Sequence, residues 1–497
     1  MQVLAIILAI LLLLSLAAFV YYCMKGGNLI IGLTIISLTW FVLGTIYSIT
    51  DLAIAGSIIS FQSVWNNIIG NLNTVFSNGP IGYGTTTAII IFASWFGRVV
   101  VDTGIAKALI RKVVELAGNK QVLTVVLVSV VSAVLFTSIF GPGSVMAMGA
   151  IILPILLSIG VSKKIAVGSY MFAVAAGMYV NGGYVSQFSG HALFSSIWSI
   201  DGFSGKFTTF TWIAFCIHVV IMIAYILFNY YVAKDKVKAW AMPAEEESSD
   251  FDIDDNGDNI EQEKPVSNWS FIVPLIPVIL SLICVIPNLF LPSEAKITEF
   301  APIVGFMVGI FFGLLLTGNL KTYKKAVAMT QKTLFHGISD VALLIGMLLM
   351  MNCFSTAAQK LCGQIFSTAL AGAFDWLNTY PWIMLIVAIV CAPLALFRGP
   401  FMVWGSGIAV ATLLGTFVAT TTNAAGVVVP VTPILLVLFY VQPITITAEV
   451  CPTQSWGMWA LSYAKLEPKT YIKTNIAWGW ALTAIIMSLA YLMLMPL

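Results

Sequence analysis

Charge is scarce in this chain. Asp, Glu, Lys and Arg make up 9% of its 497 residues, against about 25% in a soluble domain. So little charge cannot cover a water-facing surface, and a soluble globular fold is excluded. The net charge of +2 leaves no basic excess, so no nucleic-acid partner is expected. Three histidines are too few to suggest haem or a metal centre. Seven scattered cysteines show no zinc or redox spacing, and their odd number argues against a disulfide framework. No cofactor or bound metal is expected. Neither His-Glu-x-x-His nor Gly-x-Ser-x-Gly is present, so the chain does not read as an enzyme.

What fills the chain instead is apolar. Hydrophobic residues reach 60% and mean hydropathy is +0.99. Windows of about 20 apolar residues predict about fourteen spans. They fall near 3–23, 28–49, 85–102, 121–140, 143–160, 164–185, 210–232, 270–291, 300–317, 335–353, 381–397, 400–419, 424–441 and 472–495. The first run lacks a positive leader and continues for about 20 residues, so it reads as an uncleaved span rather than a signal peptide.

Lys and Arg then orient the spans. Nineteen of the 23 fall in alternate loops, three in the other loops, and Arg98 inside a span. The basic side is cytoplasmic by the positive-inside rule, and both termini lie outside. A cytoplasmic (inner) cell membrane, as a multi-pass protein in the lipid bilayer, is the expected location. Seven spans precede the loop at 233–269 and about seven follow. An odd number per half inverts one half relative to the other. The expected fold is an all-α polytopic membrane protein with about fourteen transmembrane segments. They form two inverted-topology repeats, 1–232 and 270–497, with broken helices or re-entrant hairpins. The acidic stretch 245–264 makes the connection at 233–269 a cytoplasmic linker. Residues 57–76 and the basic 104–117 read as amphipathic surface helices.

Two Gly-Pro motifs break apolar runs at corresponding places in the two halves. They are Phe140-Gly141-Pro142-Gly143-Ser144 and Phe397-Arg398-Gly399-Pro400-Phe401. Broken helices free backbone groups to bind a solute at the repeat interface. Gly141, Gly143 and Ser144 would begin a helix whose N–H groups favour anions. Ser406 could do the same in the second half; helix packing is the competing role for these small residues. Asn181, Ser186 and Gln187 gather around Gly182-Gly183, in a binding break or an ordinary outer loop. Thr420, Thr421, Thr422 and Asn423 hold the equivalent place in the second half. They suit an oxyanion or a sodium ion, or simply a polar connection. Arg398 could grip a carboxylate bidentately or anchor the cytoplasmic surface.

Ionisable residues in or near spans are few, and costly there. Arg98 with Asp102, and His336 with Asp340, are each four apart and could pair on one helix face. Asp340 lies deepest of these and is the leading ion-coupling candidate, with a structural pair as the competing reading. Glu449 is a weaker candidate, and His218 is the remaining ionisable residue in or near a span.

These features carry a resemblance. A span ends in Asp102-Thr103-Gly104, and a basic amphipathic helix follows. Next come a Gly-broken span, a small-residue helix reaching Leu153-Pro154, and a Gly/Asn-rich segment. The pattern, clearest over 85–190, resembles the ion transporter superfamily, which includes gluconate permeases and citrate and C4-dicarboxylate carriers. The resemblance implies cation-coupled symport of a small organic anion such as a hydroxy-carboxylate or dicarboxylate. Proton or sodium would be the coupling ion, and a homodimer is left open. It also implies a site at the paired breaks, around Gly141–Ser144, Asn181–Gln187, Arg398–Pro400 and Thr420–Asn423. Ile139-Phe140-Gly141 lacks the acidic residues of metal–citrate carriers, and Thr422-Asn423 only approximates the Ser-Asn-Thr signature of sodium–dicarboxylate carriers. A cation/proton antiporter and a non-transporting membrane subunit are the alternatives.

Overall fold

A computed structural model describes residues 1–54, 60–118, 120–191, 193–200, 202–233, 267–291, 295, 297–298, 300–369, 380, 382–404, 407–417, 421–422, 428–429 and 432–495. The first half contains α1 (Gln2–Met24), α2 (Leu29–Ile54), α3 (Phe61–Asn73), α4 (Gly84–Asp102), α5 (Ile105–Ala117), α6 (Gln121–Phe136), α7 (Pro142–Ser158), α8 (Lys163–Met178), α9 (Gly182–Ser189) and α10 (Phe203–Leu227). The second contains α11 (Ile276–Phe290), α12 (Pro302–Leu316), α13 (Tyr323–Thr356), α14 (Gly363–Ala369), α15 (Trp382–Val390), α16 (Gly407–Phe417), α17 (Thr432–Gln442), α18 (Ser455–Tyr463) and α19 (Pro468–Leu494). Among the described residues, the one strand pairing is antiparallel, Thr421–Thr422 with Val428–Val429. Most of the acidic linker, 234–266, lies outside the described residues.

Six helical stretches among the described residues are long and apolar enough to cross a bilayer. The pair α8 and α9, bent by 53°, adds a seventh. The chain is a multi-pass helical membrane protein. α6 and α7 have 16 and 17 residues. At 1.5 Å per residue each is about 25 Å long, less than the ~30 Å hydrocarbon core. The break between them therefore replaces what a continuous span would hold.

α8 shows why the bundle closes around this region. Every residue from Ile165 to Met178 is buried. Ala166, Gly168, Ala173, Ala175, Ala176 and Gly177 keep its surface thin, so neighbouring backbones pack directly on it. A helix without a polar face belongs in the centre of a bundle. α17 is its counterpart in the second half, buried from Ile434 onward. The two are tied by Tyr440, whose hydroxyl donates to Tyr179 O at 2.5 Å.

α4 and α13 run antiparallel. Gly337 permits this close approach, because a Cβ there would lie 2.7 Å from Trp95 Cα. Ser94 Oγ donates to Gly337 O at 2.9 Å and Trp95 Nε1 to Thr333 Oγ1 at 3.0 Å. Helices form in both amphipathic stretches, over Phe61–Asn73 and Ile105–Ala117. α5 buries Ile105, Ala106, Ile110, Val113 and Ala117 and turns its charges outward. α3 buries nothing within the protein and starts with a capping box between Ser60 and Ser63.

Candidate substrate-binding site

The site begins at the first Gly-Pro break. Gly141 takes φ 107°, which a side chain would strain, and Pro142 opens α7 without needing a donor. The end of α6 leaves carbonyls at membrane depth that water cannot satisfy. Asn181 satisfies two of them: its Nδ2 donates to Phe136 O at 2.9 Å and Ile139 O at 3.0 Å. Its Oδ1 accepts from Gly183 N at 3.0 Å and Tyr184 N at 3.3 Å, capping α9. One buried amide thus joins the Gly-Pro break to the Gly-Gly break.

Beside this junction lies a cavity of about 270 Å³. Its walls include Gly141, Pro142 and Asn181 from the first half, with Leu344 and Met347 from α13. The chain just after the second Gly-Pro motif contributes Met402 and Trp404, and the start of α18 contributes Gln454 and Ser455. The cavity therefore collects pieces from both halves. Gln187 ties them further, since its Oε1 accepts from Trp404 Nε1 at 2.9 Å. Ser186 faces its own helix, donating to Gly183 O at 3.1 Å. Ser144 Oγ is fully buried and makes no hydrogen bond.

Charge lies on the other side of the break. Arg98 on α4 grips Asp340 on α13 bidentately, with Nε to Oδ2 at 2.6 Å and Nη2 to Oδ1 at 2.7 Å. Arg98 also lies 3.6 Å from Asp102. His336 Nδ1 lies 2.9 Å from Asp102 Oδ2. The Arg98–Asp102 contact expected from sequence is present, but the His336–Asp340 pairing is not. Instead, both residues bond across to α4, because Gly337 brings the two helices together. Asp340 packs against the first turn of α7: a Cβ on Gly143 would lie 1.9 Å from Asp340 Oδ1. The helix N-terminus that could welcome an anion faces one of the protein's own carboxylates.

A second cavity, about 460 Å³, adjoins this network at Asp102. Lys107, Arg111, Lys112 and Lys325 line it, against the acids Asp102 and Glu115. A cationic vestibule of this kind raises the local concentration of anions.

In the second half, Arg398 ends the short helical segment Ala392–Arg398, directly after Phe397 at φ 54°. Thr421 and Thr422 lie in the small strand pair. Ser406, Thr420 and Asn423 lie outside the described residues. The structure thus unites Gly141, Gly143, Ser144, Asn181 and Asp340, with Gln187 linked to them through Trp404. The pairing of Arg98 with Asp340 was not foreseen. The available signal is that Arg98 lies inside a predicted span and away from the basic loops. Nothing in the sequence joins it to a partner 242 positions away.

A family model described as DcuC, C4-dicarboxylate anaerobic carrier, matches residues 2–496. The chain belongs to the DcuC family. No individual curated protein matches it. DcuC membership implies a transporter for a small organic anion rather than an enzyme.

Proposed function

We propose that this DcuC-family chain is a secondary active symporter, coupling a proton or sodium ion to movement of a C4-dicarboxylate or related hydroxy-carboxylate. The observation that carries this reading is the Arg98–Asp340 pair set against the Gly141–Ser144 break, beside a cavity shared by both halves. Asp340 acts as an internal stand-in for a substrate carboxylate. An incoming carboxylate would take its place on the guanidinium, helped by the free N–H groups of Gly143 and Ser144. Asp340, once displaced, would be left as an uncompensated anion at membrane depth unless a cation reaches it. That requirement couples cation to substrate. Asn181, Ser186 and Gln187 hold the first break in shape. Arg398, Ser406, Thr422 and Asn423 would meet the second carboxylate, and Thr420 and Thr421 would supply oxygens for the coupling ion.

The architecture proposed with this function has about fourteen transmembrane segments in two inverted repeats, 1–232 and 270–497, joined by the cytoplasmic linker 233–269. Two facts support it: the centrally buried α8 and α17 hold matching places in the two halves, and each follows a Gly-Pro break. Alternating access would come from one half moving against the other.

Counterflow of labelled succinate in proteoliposomes tests the function. The wild type should exchange without ATP, and Arg98→Ala should abolish exchange in a protein that stays monodisperse. Arg398→Ala should do the same if the second break binds the other carboxylate; unchanged exchange would make Arg398 a topology anchor. Sodium–proton exchange that needs no organic solute would replace the symporter with an antiporter.

A further inference from the structure

A second pair of ionisable groups lies away from the Arg98 network. His218 on α10 and Glu449 are both fully buried, with Nε2 and Oε2 3.4 Å apart. Neither imidazole nitrogen and neither carboxylate oxygen makes a hydrogen bond. Buried polar groups are normally satisfied, and a carboxylate at membrane depth is costly. Four atoms on two facing side chains make no hydrogen bond that would offset that cost.

The surroundings keep the pair accessible to each other and to little else. The π-helical turn Pro443–Ala448 ends directly before Glu449, and such turns concentrate at functional sites. Tyr471 on α19 donates to the Glu449 backbone carbonyl, so the main chain is pinned while the carboxylate is not. Gly479 lets α19 approach the turn that precedes Glu449, since a Cβ there would lie 2.5 Å from Thr445 O. The rings of Phe172 and Tyr179 on α8 stand edge-on to His218, with centroids 5.8 and 5.6 Å away.

The titratable groups that interact with Glu449 are Tyr179, whose buried hydroxyl makes no hydrogen bond, and Tyr471 on α19; Tyr440 on α17 neighbours the first, and Tyr225 on α10 and Cys451 the second. Ala392 and Ala395 face Ile446 from the Ala392–Arg398 segment, and Trp456 on α18 donates to Ala448 O at 3.5 Å. The basic residues at the start of α19, Lys469 and Lys473, are exposed. Among the described residues, His218 is the basic side chain recorded beside Glu449.

We propose that His218 and Glu449 form a buried proton-carrying centre, which takes up and releases one proton per transport cycle separately from the Arg98–Asp340 pair. A carboxyl and an imidazole in contact can hold zero, one or two protons between them. Their lack of fixed donors leaves the proton free to leave when the bundle opens. The centre rests on the carrier reading above: it moves a proton that accompanies the dianion.

The test uses the full chain in proteoliposomes, with labelled succinate and an imposed pH gradient. Counterflow needs no net proton movement, whereas accumulation does. Glu449→Gln should keep counterflow but lose one coupled proton. Its accumulation ratio should then fall about tenfold for each pH unit of gradient. Counterflow with an unchanged dependence on the gradient would overturn the proposal. So would loss of counterflow in a monodisperse variant, which would mark the pair as structural. If Glu449→Gln does not fold, His218→Gln is read by the same two outcomes. Failure of both variants to fold also overturns the proposal. Absence of counterflow in the wild type would instead sink the carrier reading.

Discussion

The two ionic clusters differ in one respect that separates their roles. The Arg98–Asp340 pair spends its charge fully: two short bonds join it, Asp102 flanks it, and its side chains keep 18% and 9% of their exposure. The His218–Glu449 pair is fully buried and makes no hydrogen bond through its ionisable atoms. The first behaves as a latch that something must displace. The second behaves as a store that something must fill or empty. A charged pair with good geometry holds helices in register. One without it costs stability and is retained for what it does.

Substitutions should separate the clusters. Arg98→Ala should have the largest effect, abolishing counterflow and lowering unfolding free energy by on the order of 2–3 kcal/mol, below the figure for a fully enclosed pair. Adding Asp340→Ala should restore much of the stability but none of the transport, by thermal melting and flux on the same preparations. Gly143→Ala should come next. Its methyl would collide with Asp340 Oδ1, an overpacking cost of about 1–3 kcal/mol in stability that a denaturant titration reads, with counterflow lowered as Asp340 is pushed out of register with Arg98. Asn181→Ala leaves two carbonyls and two amides without partners, and should destabilise by about 1–3 kcal/mol in a denaturant titration. Glu449→Gln should change the melting temperature little or raise it, since no hydrogen bond to the carboxylate is lost. If it destabilised the protein as much as Arg98→Ala, the contrast between latch and store would vanish. Arg111→Gln in the vestibule should be mildest, raising KM for succinate a few-fold at low ionic strength. The effect should fade as salt screens the field.

Much of this was legible in the sequence. Hydropathy located the six apolar stretches that are long enough to cross a bilayer, and the composition of 104–117 identified an amphipathic helix that forms as α5. The Gly141-Pro142 break and Asn181 were both marked as special, and they meet. Asn181 was read as a ligand for solute, whereas its amide is spent on the chain's own carbonyls. That could not be read from sequence, because Asn serves either purpose equally well. Pairing was also hidden. Residues four apart on one helix suggested His336 with Asp340, but helix packing offered each a better partner on α4. The sequence places Glu449 and His218 in or near spans, and only the fold buries them and brings them together.

α13 has a consequence of its own. Its 34 residues make it about 51 Å long at 1.5 Å per residue. At its middle it carries His336 and Asp340, bonded to α4. Near its C-terminal end, Asn352 donates to Gly79 O at 2.6 Å and Ser355 lies 2.9 Å from His191. A continuous helix is stiff along its axis, so it works as a pushrod. Axial travel set off by release of Asp340 would strain the Asn352 and Ser355 bonds about 20 Å away. An occupied latch would thus be felt at the C-terminal end of α13, along the same helix whose Leu344 and Met347 line the substrate cavity.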